Sequence, residues 1–178
     1  QFVIEGKILP RVREPEGPYA EVTGYYAERD DHWVIEVTAI TRRRNPVFHS
    51  ILSGKEVGNA YGISAAAGAF AKIHGLVPDV TAVHFADGSV PYHLVVQIDK
   101  KHEGSQRNAI MAAFVSLAFV KTVTVVDTDV DIYSPTDVDW AVATRCRYET
   151  DLLLIPETIG HRLNPMVTNN KWTRLGVD

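Results

Sequence analysis

One cysteine in 178 residues, Cys146, excludes an internal disulfide framework and a four-thiolate zinc knuckle. No apolar run reaches the roughly 18 residues that a membrane-spanning helix needs. The opening QFVIEGKILP has no basic stretch feeding an apolar one, so no signal peptide is read. These absences fit a cytoplasmic, reducing compartment. Positive charge is also short. Lys and Arg number 18 against 22 Asp and Glu, a net −4 that argues against nucleic acid as a partner. The seven histidines come without HExxH and without a thiolate pair. GxSxG, a Walker loop, a dinucleotide fingerprint and internal repeats are all missing. The chain begins without Met and reads as a piece of something longer.

What remains is a globular chain, 46% apolar and 22% charged, enough for a sizeable core under an ordinary wet surface. Residues 1–52 read as extended chain. Phe2-Val3-Ile4 is a short apolar run, and residues 32–41 alternate as a strand does. Between them Arg13-Glu14-Pro15-Glu16-Gly17-Pro18-Tyr19 is too rich in Gly and Pro for a helix and predicts an ordered loop. Residues 47–52 offer a further short strand.

From residue 54 the period changes. Residues 57–73 predict a helix with Ile63, Ala66, Ala67, Phe70 and Ile73 inward. Strands are expected at 80–85 and 93–98, joined through Asp87-Gly88, a strong hairpin signal. Ser105 is placed as the cap of an all-round apolar helix to about residue 119. A strand follows at 121–126. Ser134-Pro135-Thr136-Asp137 combines an N-cap, a first-turn proline and an acid three residues on, the sharpest helix start in the chain. That helix should carry Val138, Ala141, Val142 and Cys146 inward. A strand at 152–155 should lie parallel to 121–126 by the right-handed crossover rule. Residues 157–178 lose periodicity and read as an exposed tail or arm. The whole predicts a small mixed-sheet α/β domain over 53–156, preceded by strands that belong to another body.

Candidate chemistry concentrates in two places. Glu14, Glu16 and Glu21 lie beside Arg11 and Arg13; converging carboxylates can divide into a proton donor and an ionised partner, with an arginine holding one of them. The same residues also suit a solvated, proline-stiffened loop. Asp127-Thr128-Asp129-Val130-Asp131 has the alternating carboxylates of a cation loop, but Ile132 stands where a calcium loop needs glycine, so a turn role is favoured. His49, near the glutamate segment, is the one histidine retained as a candidate. Cys146 falls on a buried helix face and reads as a small hydrophobe.

Val3-Ile4-Glu5-Gly6, then Pro15-Glu16-Gly17-Pro18-Tyr19, Glu21 and Thr23-Gly24-Tyr25-Tyr26, closely resemble the UbiD family of decarboxylases. The resemblance continues through Ile40-Thr41, Phe48-His49-Ser50 and Asp127 to Asp131. It then takes in Trp140-Ala141-Val142-Ala143-Thr144-Arg145 and Arg174-Leu175-Gly176-Val177-Asp178. It implies a reversible non-oxidative carboxy-lyase acting on α,β-unsaturated or aromatic acids through prenylated FMN. A divalent metal, Mn or Mg, and K accompany that flavin, with ligands mostly upstream of this chain. The resemblance further implies that residues 1–52 are closing strands of a split β-barrel like that of flavin-reductase domains. A Glu-Arg-Glu network over the flavin places its two glutamates on Glu16 and Glu21, its arginine upstream. Glu21 is then the proton donor and Glu16 the partner of that arginine. Phe48 and His49 approach the substrate pocket, and Arg174 reaches towards the cofactor phosphate. Partners implied are a missing N-terminal half or complementary subunit, the acid substrate and further copies of the chain. The competing reading is a non-catalytic assembly domain descended from the same family.

Overall fold

The computed structural model describes residues 1–89 and 91–178, with Lys55, Glu56 and Asn59 described through their backbone. The N-terminal fifty residues make one antiparallel ladder, β1 (Phe2–Glu16) with β2 (Asp30–Arg42). Phe2 lies opposite Arg42 at one end and Glu16 opposite Asp30 at the other. The register breaks between Ile8 and Arg13, where Arg11 takes a left-handed φ of 63°. Residues 14–16, expected in a loop, are part of β1. Proline is acceptable there because every strand of a two-stranded sheet is an edge. Residues 47–52 add no strand.

The expectation of split-barrel strands is corrected here. Among the described residues no sheet closes on itself, and β1 and β2 each have one hydrogen-bonded neighbour. Closure requires every strand to be paired on both sides. Both faces of the ladder are open as well: Ile4, Ile8, Trp33 and Ile35 are all about 60% exposed.

The rest of the chain builds a five-stranded mixed sheet. In order along the chain come α1 (Lys55–Leu76), β3 (Val80–Phe85), β4 (His93–Ile98), α2 (Ser105–Ser116) and β5 (Thr122–Asp127). They are followed by α3 (Pro135–Arg145), β6 (Leu152–Ile159) and β7 (Lys171–Val177). Strand order is β3-β4-β5-β7-β6, with β4, β5 and β7 parallel and the two edges antiparallel.

Two expectations fall with that order. Residues 157–178 are no free tail, because β7 sits inside the sheet. β6 is neither the neighbour of β5 nor parallel to it; it is the antiparallel edge beyond β7. The crossover rule governs parallel strands, and the chain reaches β6 first but parks β7 against β5. The return, residues 160–170, ends on a two-residue turn in which Asn169 and Asn170 both take positive φ, 51° and 59°. Thr168 and Lys171 exchange backbone hydrogen bonds of 3.1 and 2.9 Å across it. Asn tolerates that conformation better than other side-chain-bearing residues.

Packing follows strand alternation. Leu94, Val96 and Ile98 of β4 and Val123 and Val125 of β5 meet Ile73 of α1 and Ile110 and Phe114 of α2 on one face. Val95 and Val126 meet Val138 and Ala141 of α3 on the other. A sheet covered on both faces explains the β-branched run of β5. α1 buries Ala69 and Ile73 but leaves Ile63 79% exposed, so the inward stripe is rotated from the expected one. α2 ends at Ser116 and leaves Val115 84% exposed, so it is not covered all round. Ser105 does not cap it. Gly104 holds the cap position at φ 91°, and the Ser105 hydroxyl donates to Asp79 at 2.8 Å. Ser134 does cap α3, its hydroxyl accepting from the Asp137 N–H at 3.3 Å. Among the described residues no helix is long and apolar enough to cross a membrane.

Candidate functional site

Glu16 ends β1, opposite Asp30, and is exposed, with the His32 Nε2 4.0 Å from its carboxylate. Five residues later Glu21 opens a tight hairpin. Its N–H donates to the Tyr25 carbonyl at 2.9 Å, and its carbonyl accepts from Gly24 N–H at 2.9 Å. Gly24 takes φ 78°, the left-handed position that a three-residue hairpin loop reserves for glycine. The backbone of Glu21 is therefore pinned at both ends, and its side chain is half-buried.

Two groups from far along the chain lie close enough for its charge to act on them. Tyr92, just before β4, and His161, just after β6, both feel the Glu21 carboxylate. Burial, helped by that carboxylate, pushes the Tyr92 phenol up to about 12. Burial holds His161 below the usual imidazole value, with Glu21 pulling the other way. Phe119 stands edge-on to His161 at 4.7 Å, and Trp172 of β7 edge-on to Tyr92 at 5.7 Å. Arg162 reaches back to Asp30 at 3.2 Å, tying the β6–β7 connection to the rung that holds Glu16. The two glutamates and this aromatic wall thus share one end of the ladder.

Other expected site residues lie elsewhere. Phe48 packs edge-on against Phe2 at 5.5 Å, at the opposite end of the ladder from Glu16, and is 72% exposed; His49 beside it is exposed too. Arg174 is buried. Its guanidinium donates to the Phe114 carbonyl and, at 3.1 Å, to that of Ala118, closing the C-terminal end of α2. Unpaired helix-end carbonyls and a buried cation satisfy each other there. Arg13 does not bridge the carboxylates: it stacks on Trp33 and donates to the Val12 carbonyl. Asp129 and Arg145 form a bidentate pair at 2.9 and 2.7 Å, and Asp131 accepts from Tyr133 N–H, so two of these carboxylates serve turn geometry.

A cleft of about 310 Å³ opens beside the C-terminal ends of β4, β5 and β7, lined by Lys100, Asp127, Arg145 and Asp178 among others. Of the candidate residues Asp127 lines it, while Glu16, Glu21, Phe48, His49 and Arg174 do not. Among the described residues no group of three or more His, Cys, Asp or Glu side chains gathers to hold a metal ion.

Residues 1–56 match the family described as the 3-octaprenyl-4-hydroxybenzoate carboxy-lyase Rift-related domain, and residues 60–178 its C-terminal domain. The chain belongs to the UbiD family. Among solved structures it resembles the UbiD-class enzyme HmfF from Pelotomaculum thermopropionicum, in complex with FMN. The TM-score is 0.92 at 44% identity, covering 100% of this chain and 40% of that one. An evolved dimeric form of HmfF, in complex with prFMN, gives a TM-score of 0.84 at 41% identity over 99% of this chain and 39% of that one. The anhydromevalonate phosphate decarboxylase of Methanocaldococcus jannaschii is 36% identical over 100% of this chain and 43% of its own length. A protein of Rhodospirillum rubrum encoded in the cooM 5′ region is 43% identical over 99% of this chain and 38% of its own. The UbiD chain thus spans about two fifths of the relatives it matches.

Sequence reasoning missed Tyr92 and His161. Neither sits in a motif. The signal that leads to His161 is indirect: the Asn169-Asn170 turn folds β7 back and leaves Gly160 to Arg162 at the head of the connection.

Proposed function

We propose that this chain supplies the proton-delivering edge of a reversible non-oxidative decarboxylase of α,β-unsaturated or aromatic carboxylic acids. Residues 1–52 carry the reacting carboxyls, and the α/β unit from residue 53 flanks the second of them. The observation behind this reading is the pair Glu16 and Glu21 in a UbiD chain, five residues apart at one end of β1, the second within electrostatic reach of Tyr92 and His161.

Loss of CO₂ leaves negative charge on carbon, and that carbon must be protonated before product can leave. Glu21 fits the donor role because its backbone is fixed by the hairpin and the residue is half-buried. Glu16, more open and next to His32, suits the ionised partner of an arginine brought from outside this chain. Prenylated FMN, when bound with its divalent metal, supplies the electron sink for the charge. Its ligands are not assigned to these residues. Phe48 and His49 would reach a substrate only if another part of the assembly brings it to their end of the ladder. Arg174 is better explained by the α2 carbonyls it holds. An N-terminal half or complementary subunit covers the open ladder, and copies of the chain assemble through further exposed apolar surface.

The test is isotope exchange. The complete protein, loaded with prenylated FMN and Mn²⁺, should exchange labelled bicarbonate into at least one acid of an aromatic and α,β-unsaturated panel. A loaded protein that binds the flavin and exchanges none of them overturns the reading, in favour of an assembly role.

A further inference from the structure

Three buried polar atoms, in the Glu21 hairpin, the β6–β7 connection and β7, have no hydrogen-bond partner among the described residues: Thr23 Oγ1, His161 Nδ1 and Trp172 Nε1. Buried donors and acceptors are nearly always paired, so such atoms mark where a partner arrives or a side chain turns. His161 is the most informative of the three. Its ring plane is set by Phe119 edge-on at 4.7 Å and by Tyr92 at 6.5 Å. Its backbone is anchored from both sides: Gly160 N–H donates to Asn170 at 2.8 Å, and Arg162 bridges to Asp30 at 3.2 Å. A ring held this firmly with a free buried nitrogen is a poised hydrogen-bonding group.

The charged and titratable groups around it are few. Glu21 comes from the hairpin after β1 and Tyr92 from the approach to β4. Lys121, before β5, lies over the Trp172 ring at 5.8 Å. Arg162 is already paired with Asp30. Of these, the Glu21 carboxyl is the one whose protonation changes in a proton-delivery cycle.

We infer that His161 is a positioning residue for Glu21, its Nδ1 hydrogen-bonded to the Glu21 carboxyl when that side chain swings to deliver its proton. This rests on the donor role proposed for Glu21. Burial favours the neutral ring, which keeps one nitrogen as donor and one as acceptor and so can meet either state of the carboxyl. The protonated carboxyl donates to Nδ1 in one tautomer. The ionised carboxylate accepts from Nδ1–H in the other. The aromatic cage limits rotation, so the bond fixes where the proton points.

Two measurements decide it. In the 178-residue chain, the His161 titration midpoint is followed by NMR in parent and Glu21→Gln proteins. Loss of the carboxylate removes the one influence that raises the midpoint, so it should fall further. An unmoved midpoint overturns the inference. In the complete enzyme, His161→Phe keeps the ring packing and removes the nitrogen, and His161→Asn puts an amide near Nδ1. His161→Phe should slow solvent-deuterium exchange into product by about 10²-fold at unchanged KM, as expected when a reacting group is misplaced. His161→Asn should recover most of that loss. Parental exchange in His161→Phe, or equal loss in both variants, overturns the positioning role. Parental exchange in Glu21→Gln with the NMR shift intact removes the donor reading, and the inference falls with it while the contact stands.

Discussion

Replacing Gly176 by alanine tests whether the last seven strand residues really lie inside the sheet. Gly176 is buried on β7, opposite Leu153 of β6 and Val123 of β5, and α2 passes directly above it. A Cβ built there would stand 2.5 Å from Ile110 Cγ2 and 3.0 Å from its Cδ1. Ile110 is 0% exposed and β-branched in a helix, so it has essentially one rotamer and nowhere to retreat. Overpacking of this kind costs about 1–3 kcal/mol. Against it stands the gain from a stiffer unfolded chain, about 0.4–1 kcal/mol for Gly→Ala at a compatible backbone. With the contact this close the cost falls in the upper part of that range, about 2–3 kcal/mol, so the net expectation is a loss of about 1–2.6 kcal/mol, or roughly 2–10 °C in Tm for a chain of this length. Urea and thermal unfolding by circular dichroism would read it. Ile110→Ala alone should cost about 2–5 kcal/mol, yet Gly176→Ala added to it should be neutral or favourable, since the clashing atoms are gone. Were residues 171–177 an exposed arm, Gly176→Ala would leave stability unchanged or raised. That result would refute the packing described here.

Arg174→Met should destabilise the chain by about 1.5–3 kcal/mol in the same unfolding assay, because the Phe114 and Ala118 carbonyls lose a charged donor; an unaffected variant would show that the α2 end needs no such cap. His93 should make part of the fold acid-sensitive. Its Nε2 lies 2.9 Å from Thr124 Oγ1, and burial holds its pKa below the ordinary value of about 6.5. As pH falls below that value the unfolded chain takes up the proton first, so stability drops until the native value is also passed. The stability lost between pH 7 and pH 5.5 should therefore be smaller in His93→Gln, and an identical loss in both proteins would contradict the assignment.

Local signals were read correctly where they are self-contained. Ser134-Pro135-Thr136-Asp137 carries its own cap, and Asp87-Gly88 its own turn, with Gly88 at φ 71°. Failures occur where neighbours decide. Pro15 reads as a breaker, but it lies on an edge strand and stays in β1. The alanine-rich α1 has apolar residues on every side, so composition does not say that Ala69 rather than Ala67 turns inward. β7 hides because its buried positions include Arg174 and Gly176, one charged and one without a side chain, and period-2 reading counts neither as core. The pair Glu16 and Glu21 is legible through its resemblance to UbiD decarboxylases, since spacing alone also fits a wet loop. Tyr92 and His161 are out of reach of any local reading. They come within reach of the Glu21 charge only through the tertiary fold, in which the β6–β7 connection reaches back to Asp30.

The most direct test of the central proposal is solvent-deuterium exchange into the vinylic or aromatic position of product, catalysed by the complete prenylated-FMN enzyme carrying Glu21→Gln. The amide keeps the shape of the side chain and has no acidic proton to give. Removal of a positioned general acid costs about 10²–10⁴-fold. The account predicts that exchange falls by at least that range, and by no less than decarboxylation does, while flavin binding is retained. Exchange at the parental rate in that variant would contradict it, and proton delivery would then have to be assigned to Glu16 or to a group outside this chain.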